Sequence, residues 1–242
     1  MTPSLPPPDT ARAFRRGLLT ALPFLIVVGP FGLLFGLVAT DAGMTMVQTM
    51  AFSVVVIAGA AQFAAVQLIQ DGAPLAIVIL TALAVNLRMA MYSAALTPHL
   101  GGAPLSWRAF AAYVLMDQNF VAGLAEFQRH PDRPAQEKAA FFIGMGLGLG
   151  LPWYAVTWVG IVFGRAIPPE YALDFAVPIT FLATVSPLLR SPAHIAAAVT
   201  SVGVTLALWW MPYSTGLLVA GVVAMITGAT VETLLARKEA KA

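Results

Sequence analysis

The sequence predicts an all-α protein, a polytopic bundle of about eight transmembrane helices, some of them broken or kinked. Composition is the first observation behind this prediction. Hydrophobic residues make up 59% of the 242 positions and charged residues only 10%, and the mean hydropathy is +0.83. A soluble domain usually carries about 25% charged residues. This chain therefore has too little polar surface to cover a fold that faces water.

The second observation is a series of eight apolar stretches, because a helix needs about 20 such residues to cross a bilayer. They lie at 14–39, 45–69, 73–97, 106–128, 138–163, 171–189, 193–210 and 213–235. Short turns with glycine, proline or aspartate join them, as between antiparallel helices. The sixth and seventh are short and interrupted by proline, so a re-entrant arrangement there would lower the number of crossings. We expect one transmembrane domain over 14–236, a disordered tail at 1–13 and a basic tail at 237–242.

The third observation is the distribution of lysine and arginine. With eight crossings, ten of the 13 basic residues fall on one side together with both chain ends. The other side receives only Arg108 and Arg165, and Arg88 lies within a span. By the positive-inside rule, we expect both termini to be cytoplasmic.

Residue types that carry chemistry elsewhere are missing or scattered here. The chain has no cysteine, and its three histidines show no metal-ligand spacing. It has no nucleophile–base pattern and no phosphate-binding loop. The basic residues fall in short loops and at the ends, unlike a nucleic-acid footprint. We therefore expect neither an enzyme nor a bound metal or cofactor, and no nucleic-acid partner.

Two of the spans carry features that could open a helix or bind a ligand. In the first span, Gly29-Pro30 should kink or open the helix, because proline lacks the N–H of the helix ladder. The alternative is a packing kink in which nearby glycines contact a neighbouring helix. In the second span, Gly59 and Gln62 share one helix face, next to Phe63. They could allow close approach of a ligand, or they could form a tight helix–helix contact.

The third and fourth spans contain the polar residues that are most costly to bury in lipid. Asn86 and Arg88 lie mid-span and two positions apart, so a regular helix would turn them to nearly opposite faces unless its backbone departs from helix there. Asp117 and Gln118 lie at a similar depth in the next span. Such groups usually face a bundle interior and mark a pathway or a binding site. Glu126 lies nearer a span end, where snorkelling to the interface explains it.

Arg88 and Asp117 allow two interpretations. Arg88 could bind a substrate carboxylate with its bidentate fork, or it could form a permanent ion pair with Asp117 that joins two spans. A pair that opens and closes during a cycle would satisfy both. Asp117 is the best candidate for a proton-coupling carboxylate, because a low-dielectric site raises the proton affinity of a carboxylate.

An ordered set of segments resembles the AzlC family of branched-chain amino acid permeases. The resemblance runs from about Arg15 to Thr233. The segments are Pro30-Phe31-Gly32-Leu33-Leu34-Phe35-Gly36, Ala58-Gly59-Ala60-Ala61-Gln62-Phe63, Val85-Asn86-Leu87-Arg88, Asp117 to Phe120, and Leu173 to Pro178 with Phe181-Leu182. Two positions depart from the family's pattern: Met89 stands where the family usually has histidine, and Gln118 stands where it has glutamate. One carboxylate is thus lost.

The resemblance implies a bacterial inner-membrane exporter of valine, leucine and isoleucine, with methionine as a further candidate. It would be proton-driven and paired with a small AzlD-type membrane subunit. Arg88 would take the carboxylate of the substrate, and polar groups would take the ammonium. The expected substrate-binding residues are Gly59, Gln62, Phe63, Asn86, Arg88 and Gln118, with Asp117 for proton coupling. The alternatives are a non-transporting membrane scaffold or accessory subunit, an intramembrane enzyme and a passive channel.

Overall fold

The computed structural model describes residues 9–164, 189, 191–212 and 215–239, and this part of the chain is helical without a β-strand. Residues 171–188 of the sixth predicted span, Arg165 and Arg190 lie outside the described residues. The helices are α1 (Thr10–Ala21), α2 (Leu25–Asp41), α3 (Met46–Val55), α4 (Gly59–Gln70), α5 (Leu75–Leu100), α6 (Leu105–Tyr113), α7 (Asp117–Arg129), α8 (Ala135–Gly164), α9 (Pro192–Ala207) and α10 (Gly216–Glu239).

Long apolar helices confirm the predicted helical membrane protein. Among the described residues, four helices are long and apolar enough to cross a membrane. They are Thr10–Asp41, Leu75–Leu100, Ala135–Phe163 and Gly216–Lys238. Large apolar side chains such as Ile26 lie exposed on them, as suits helices that face lipid.

The chain divides into two compact units. Unit 1 comprises Met1–Phe63 and Val85–Pro168, and unit 2 comprises Ala64–Ala84 and Pro169–Ala242. Within unit 2, α9 and α10 form an antiparallel pair, in which Gly228 lies against Ala197 and Gly216 lies against Leu208. All the polar residues singled out from the sequence as site candidates lie in unit 1, which is described next.

Glycine contacts hold α1 and α2 parallel to α8. The Asp9 amide donates to Glu137 Oε1 (3.0 Å), which places the two helix starts together. Further along, Gly144 lies against the backbone of Phe14, and Gly160 against the backbone of Leu33. A side chain at either glycine would collide with backbone, so small residues are required for this approach. Gly144 and Gly160 of α8 thus serve helix packing.

The first predicted span is not opened where the sequence suggested. Pro30 lies inside α2, and the helix continues through it. The irregularity lies earlier, in a single 3₁₀ turn at Leu22–Phe24 that contains Pro23. Gly32 and Gly36 contact α8 closely, so this region follows the packing interpretation.

The second predicted span is broken and folds back on itself. Three non-helical residues, 56–58, separate α3 from α4. Gln62 in the first turn of α4 donates to Ser53, nine residues earlier in α3 (3.1 Å). The Phe35 ring lies against both Phe52 and Phe63. A continuous helix would separate Ser53 and Gln62 by about 13 Å along its axis, so the chain must turn at the break.

The fourth predicted span is also broken, and it does not cross. Residues 114–116 separate α6 from α7. At the start of α6, a Cβ on Gly102 would lie 3.3 Å from the Cβ of Ala135, the first residue of α8. At the end of α7, Phe127 packs against Phe141 of α8. Both outer ends of this pair therefore lie beside the start of α8, and α6–α7 is a re-entrant hairpin.

This hairpin changes the predicted position of Arg108. We call the side of unit 1 that holds Asp9, Gly102 and Ala135 the basic side, and the opposite side the far side. Arg108 lies in the first turn of α6, on the basic side rather than on the side expected from eight crossings. In the described part of unit 1, every lysine and arginine except Arg88 then lies on the basic side. These are Arg12, Arg15, Arg16, Arg108, Arg129, Arg133 and Lys138.

Candidate functional site at two helix breaks

The two breaks meet near the middle of α8. Val114, in the break between α6 and α7, lies against Gly146 of α8. Gly59, at the break between α3 and α4, faces the indole ring of Trp153. These two α8 positions lie on either side of the midpoint of that helix. We call residues 56–58 the first break and residues 114–116 the second break.

Tyr113 joins the two breaks directly. Its hydroxyl donates to the Val54 carbonyl in the last turn of α3 (2.8 Å) and lies 3.3 Å from the Tyr154 hydroxyl. α3 enters from the far side, where α2 ends, and α6 enters from the basic side. Two half-helix starts, those of α4 and α7, are thereby placed at mid-depth. The first amides of a helix lack intrahelical partners and carry the positive end of its dipole, so both starts can bind an anionic group.

Asn119 shapes the second break. Its side-chain oxygen accepts from the Met116 amide (2.8 Å), and its Nδ2 donates to the Val114 carbonyl (2.6 Å). The residue is fully buried. One side chain thus pairs two backbone groups that the break leaves out of the helix ladder. The succession Asp117-Gln118-Asn119 forms the first turn of α7, directly after the second break.

The predicted ion pair is formed at this break. Arg88 Nη2 lies 3.1 Å from Asp117 Oδ2, with about a third of each side chain exposed. Tyr92 lies beside both charged groups, and its ring stacks on Phe120 at 4.0 Å between centroids. α5 is a regular helix through Asn86 and Arg88, so the alternative of a backbone departure there is not observed.

Two polar atoms of this pair are buried without a hydrogen-bond partner among the described residues. They are Arg88 Nε and Asp117 Oδ1. Buried polar groups are nearly always hydrogen-bonded, and the exceptions need an explanation. One is a cationic donor and the other an acceptor, which a carboxylate and an ammonium would satisfy. Asn86 Oδ1 is also buried without such a partner, but Asn86 lies two positions before Arg88 on a regular helix and so faces nearly the opposite way. We call Arg88, Tyr92 and Asp117 the second-break cluster.

The first break has a neutral polar set. Ser53 Oγ accepts hydrogen bonds from Gln62 Nε2 (3.1 Å) and from Trp153 Nε1 (3.4 Å). Gln62 Oε1 and Thr157 Oγ1 are buried without a partner among the described residues. Ser53, Gln62 and Thr157 are each fully buried (0% exposed). We call Ser53, Gln62, Trp153 and Thr157 the first-break cluster.

The predicted site residues other than Asn86 therefore fall into two groups. Arg88, Asp117 and Gln118 lie at the second break, where Gln118 is half-buried. Asn86 is not brought to them by any described contact, because the regular helix α5 turns it to nearly the opposite face from Arg88. Gly59, Gln62 and Phe63 lie at the first break, and the Phe63 ring packs edge-on against Phe31 and Phe35. The hydroxyl of Tyr113 in α6 donates to the Val54 carbonyl in α3, and this hydrogen bond links the helices next to the two breaks. Sequence reasoning missed Ser53, Tyr92, Tyr113, Trp153 and Thr157, because single serine, threonine and aromatic residues are common in membrane helices and carry no motif.

A groove of about 560 Å³ lies elsewhere in unit 1. Thr10 and Phe14 of α1, Trp107 and Phe110 of α6 and Ile143 of α8 line it at the basic side. Its walls are mainly apolar, and none of the predicted site residues reaches it. The polar atoms at the two breaks, rather than this groove, carry the chemistry that can discriminate a small polar ligand. In the described part of the chain, no three histidine, cysteine or acidic residues gather as a metal-binding group would require.

Glu126 has a role that its position in the sequence did not reveal. Its Oε1 accepts from Arg16 of α1 (2.7 Å) and from Arg133 in the following loop (3.2 Å), and His130 Nε2 lies 3.9 Å away. Glu126 thus ties the end of the re-entrant hairpin to α1 on the basic side. Only the local partner His130, four positions away, could have been anticipated from sequence spacing.

Comparison with known proteins identifies the family. The family described as AzlC protein matches residues 23–167, more than half of the chain. An uncharacterized membrane protein of Archaeoglobus fulgidus is 29% identical over 198 residues, which cover 80% of this chain and 84% of that protein. Inner membrane protein YgaZ of Escherichia coli is 28% identical over 187 residues, 75% of each chain. No solved structure matches significantly. This multi-pass membrane protein therefore belongs to the AzlC family.

Proposed function

We propose that this protein is a secondary transporter that exports branched-chain amino acids, with valine, leucine and isoleucine as substrates and methionine as a further candidate. The observation that carries the proposal is the second-break cluster. It holds an ion pair with two buried polar atoms that have no hydrogen-bond partner among the described residues. Broken helices that meet at the bilayer midplane are typical of the substrate sites of secondary transporters.

The charges of the cluster match those of an amino-acid zwitterion. Arg88 can bind a substrate carboxylate with its bidentate fork, while Asp117 binds the substrate ammonium. Leaving one buried charge of a pair without a partner is strongly unfavourable. A zwitterion that inserts between Arg88 and Asp117 replaces one pairing by two and leaves neither charge unpaired. The observed ion pair is then the resting state of the substrate site.

Gly59, Gln62 and Phe63 belong to the proposed site as the facing half-helix start. The first amides of α4 offer the positive end of a helix dipole to the carboxylate. The Phe63 ring, together with Phe31 and Phe35, supplies an apolar surface that suits a branched aliphatic side chain. Gln118 at the other break can accept or donate toward the same ligand.

Proton coupling is proposed through Asp117. Protonation of Asp117 would release Arg88 for the substrate carboxylate, and deprotonation would restore the ion pair. With Gln118 in the next position, no second carboxylate is available to share this role. Asp117→Asn should therefore permit exchange of labelled for unlabelled valine but abolish accumulation driven by a proton gradient.

Placement in the membrane is part of the proposal. The one-sided distribution of arginine and lysine in unit 1 supports a cytoplasmic start of α1 in a bacterial inner membrane, with both termini cytoplasmic. A small AzlD-type membrane subunit is the proposed partner, and transport should require its co-expression.

The test is flux of radiolabelled valine and methionine in vesicles, with and without a proton gradient and with the partner co-expressed. Arg88→Ala should abolish valine efflux while folded protein remains in the membrane. Arg108→Ala is the matched control, because Arg108 donates only to the Gly101 carbonyl at the exposed start of α6. Unchanged efflux in Arg88→Ala would remove that residue from the site. Absence of flux and of valine-dependent stabilisation in the wild type would favour the scaffold alternative.

A further inference from the structure

The first-break cluster has features that the amino-acid site does not need. Gln62 Oε1 and Thr157 Oγ1 are completely buried and have no hydrogen-bond partner among the described residues. The free energy cost of an unsatisfied buried polar atom is about 1–3 kcal/mol. Gln62 lies in the first turn of α4 and Thr157 one helical turn beyond Trp153 on α8, and two such atoms point to a ligand that both oxygens can bind.

A chain of hydrogen bonds runs from Gln62 through Ser53 to Trp153, one helical turn from Thr157. Trp153 and Thr157 are four residues apart on α8 and share one face, and Trp153 donates to Ser53. Gln62 donates to the same serine through its nitrogen, which leaves its carbonyl oxygen free. Thr49, one turn before Ser53 on α3, is also fully buried. The seam between α3, the first turn of α4 and α8 is thus lined with neutral oxygens.

The break itself adds further acceptors. The last carbonyls of a helix lack intrahelical partners and carry the negative end of the helix dipole. At the end of α3, the Phe52 carbonyl accepts from the Val56 amide and the Val54 carbonyl accepts from Tyr113. The neighbouring carbonyls of Ser53 and Val55 lie at the same negative end.

We propose that the first-break cluster binds a monovalent inorganic cation, Na⁺, through Gln62 Oε1, Thr157 Oγ1, Ser53 Oγ and carbonyls at the end of α3. Unwound backbone carbonyls and half-helix C-terminal ends are the groups that coordinate Na⁺ in secondary transporters. A divalent ion is disfavoured, because Ca²⁺ and Mg²⁺ sites use carboxylates and this cluster has none. The negative end of the α3 dipole supplies the attraction that a formal charge would otherwise give.

The inference shares Gln62 with the proposed amino-acid site, but Thr157 belongs to the cation site alone. It uses neither Arg88 nor Asp117, so it can fail while the proposed function stands, and the reverse also holds. The substrate ammonium has cation chemistry too, and the experiment separates the two sources by testing each in the absence of the other.

The experiment measures thermal unfolding of the purified full chain in NaCl, KCl and choline chloride at equal ionic strength, and in choline chloride with added L-valine. NaCl should raise the unfolding temperature by several degrees in a saturable way, and choline should not. Direct binding of radioactive ²²Na⁺ to the wild-type protein gives a second measurement. Equal unfolding temperatures in NaCl and choline, an equal response to KCl, or a response to valine alone would overturn the assignment to Na⁺.

Thr157→Val is the decisive variant, because it removes an unpartnered hydroxyl and keeps the shape of the side chain. The Na⁺ concentration for half of the full stabilisation should rise at least tenfold, while valine flux still depends on Arg88. Thr97→Val is the matched control, since the Thr97 hydroxyl bonds within its own helix, to the Ser93 carbonyl, and its Na⁺ response should match the wild type. Thr157→Ser should retain Na⁺ binding and guards against a folding defect. A wild-type Na⁺ response in Thr157→Val would sink the proposal.

Discussion

The two helix breaks have the same length and opposite chemistry. Each break interrupts a helix pair for three residues near the middle of α8, residues 56–58 in one and 114–116 in the other. The first is held by Gln62 and Ser53, which are uncharged, and the second by Asn119 with an ion pair beside it. At the second break Asn119 pairs freed backbone groups of its own break, whereas at the first the Val54 carbonyl accepts from Tyr113 of another helix. The chemistry that remains beside each break then decides what it can bind.

The largest expected effect tests whether the two breaks are approached from opposite sides. The chain contains no cysteine, so a double variant Gly102→Cys/Ala135→Cys gives an unambiguous crosslink. An ideal Cβ at Gly102 lies 3.3 Å from the Ala135 Cβ, close to the separation of about 3.5–4.5 Å found in disulfides. The disulfide should form nearly completely under mild oxidation, measured by thiol labelling after denaturation.

Asp41→Cys/Ala135→Cys is the control pair, because Asp41 ends α2 on the far side of unit 1. This pair should remain reduced. If α6 and α7 crossed the membrane as one span, Gly102 and Ala135 would lie on opposite sides of it. Failure of their crosslink would therefore support the arrangement of eight crossings expected from the sequence.

The sequence predicted the helical class and apolar helices long enough to cross a membrane, because composition and span length are strong local signals. The ion pair of Arg88 with Asp117 is one of the two interpretations that the sequence leaves open. The sequence did not predict that the fourth span turns back. Asn119 closes that break through contacts within five residues of itself, but asparagine is also common as a simple polar contact. Arg108 was placed on the far side for the same reason, since a re-entrant hairpin and a crossing have the same apolar length.

The packing of the breaks was beyond sequence reasoning for a different physical cause. Ser53 meets Trp153 across 100 positions, and Tyr113 meets Val54 across 59. Such contacts depend on the parallel approach of α2 to α8, which is set by glycine-to-backbone contacts rather than by any motif. In the first predicted span, glycine packing against a neighbouring helix is one of the two interpretations of the sequence. The spacing of the glycines does not show which helix they contact.

The second-largest expected effect is a loss of stability, compared between substitutions of Asn119 at the second break and Gln62 at the first. Asn119→Leu leaves both the Met116 amide and the Val114 carbonyl without partners, and each unsatisfied buried group costs about 1–3 kcal/mol. The free energy of unfolding should therefore fall by about 2–6 kcal/mol. Gln62→Leu removes one hydrogen bond and an oxygen that had no partner, so its loss should be about 1 kcal/mol or less. Thermal unfolding in detergent measures both variants.

Equal losses for Asn119→Leu and Gln62→Leu would contradict this account, because they would mean that both breaks depend on one side chain to the same degree. Asn119→Asp is an informative companion variant. It retains the acceptor for the Met116 amide but replaces the donor to the Val114 carbonyl by an oxygen, so it should be destabilised as well.

Smaller losses of stability are expected from alanine at Gly146 and Gly59, the glycines that lie at the second and the first break. A Cβ at Gly146 would lie 2.5 Å from Val114 Cγ2 and 3.0 Å from the Val114 carbonyl oxygen, so backbone at the second break would have to move. Gly146→Ala should destabilise by about 1–3 kcal/mol, as overpacking usually does. Gly59→Ala meets only the edge of the Trp153 ring at 3.1 Å, a side chain that can shift, and its effect should be smaller.

Gly150→Ala is the control for these two variants, because nothing lies within 4 Å of a Cβ placed there. It should be neutral or slightly stabilising, since alanine is favoured over glycine inside a helix by about 1 kcal/mol. A loss at Gly150 as large as that at Gly146 would show that helix α8 is sensitive to any added side chain rather than to contact with the break.

The smallest expected effect concerns the tie between the second break and α1. Glu126→Gln weakens the contacts to Arg16 and Arg133, and partly exposed ion pairs contribute about 0.2–1 kcal/mol. The free energy of unfolding should fall by about that amount, and by less in high salt, because screening already weakens the pairs in the wild type. The first break has no such charged tie among the described residues, so choline chloride, which does not supply the proposed cation, should leave the Gln62→Leu difference unchanged. A loss in Glu126→Gln that is independent of salt would show that the carboxylate acts there through neutral hydrogen bonds, and the electrostatic contrast between the two breaks would then be confined to Arg88 and Asp117.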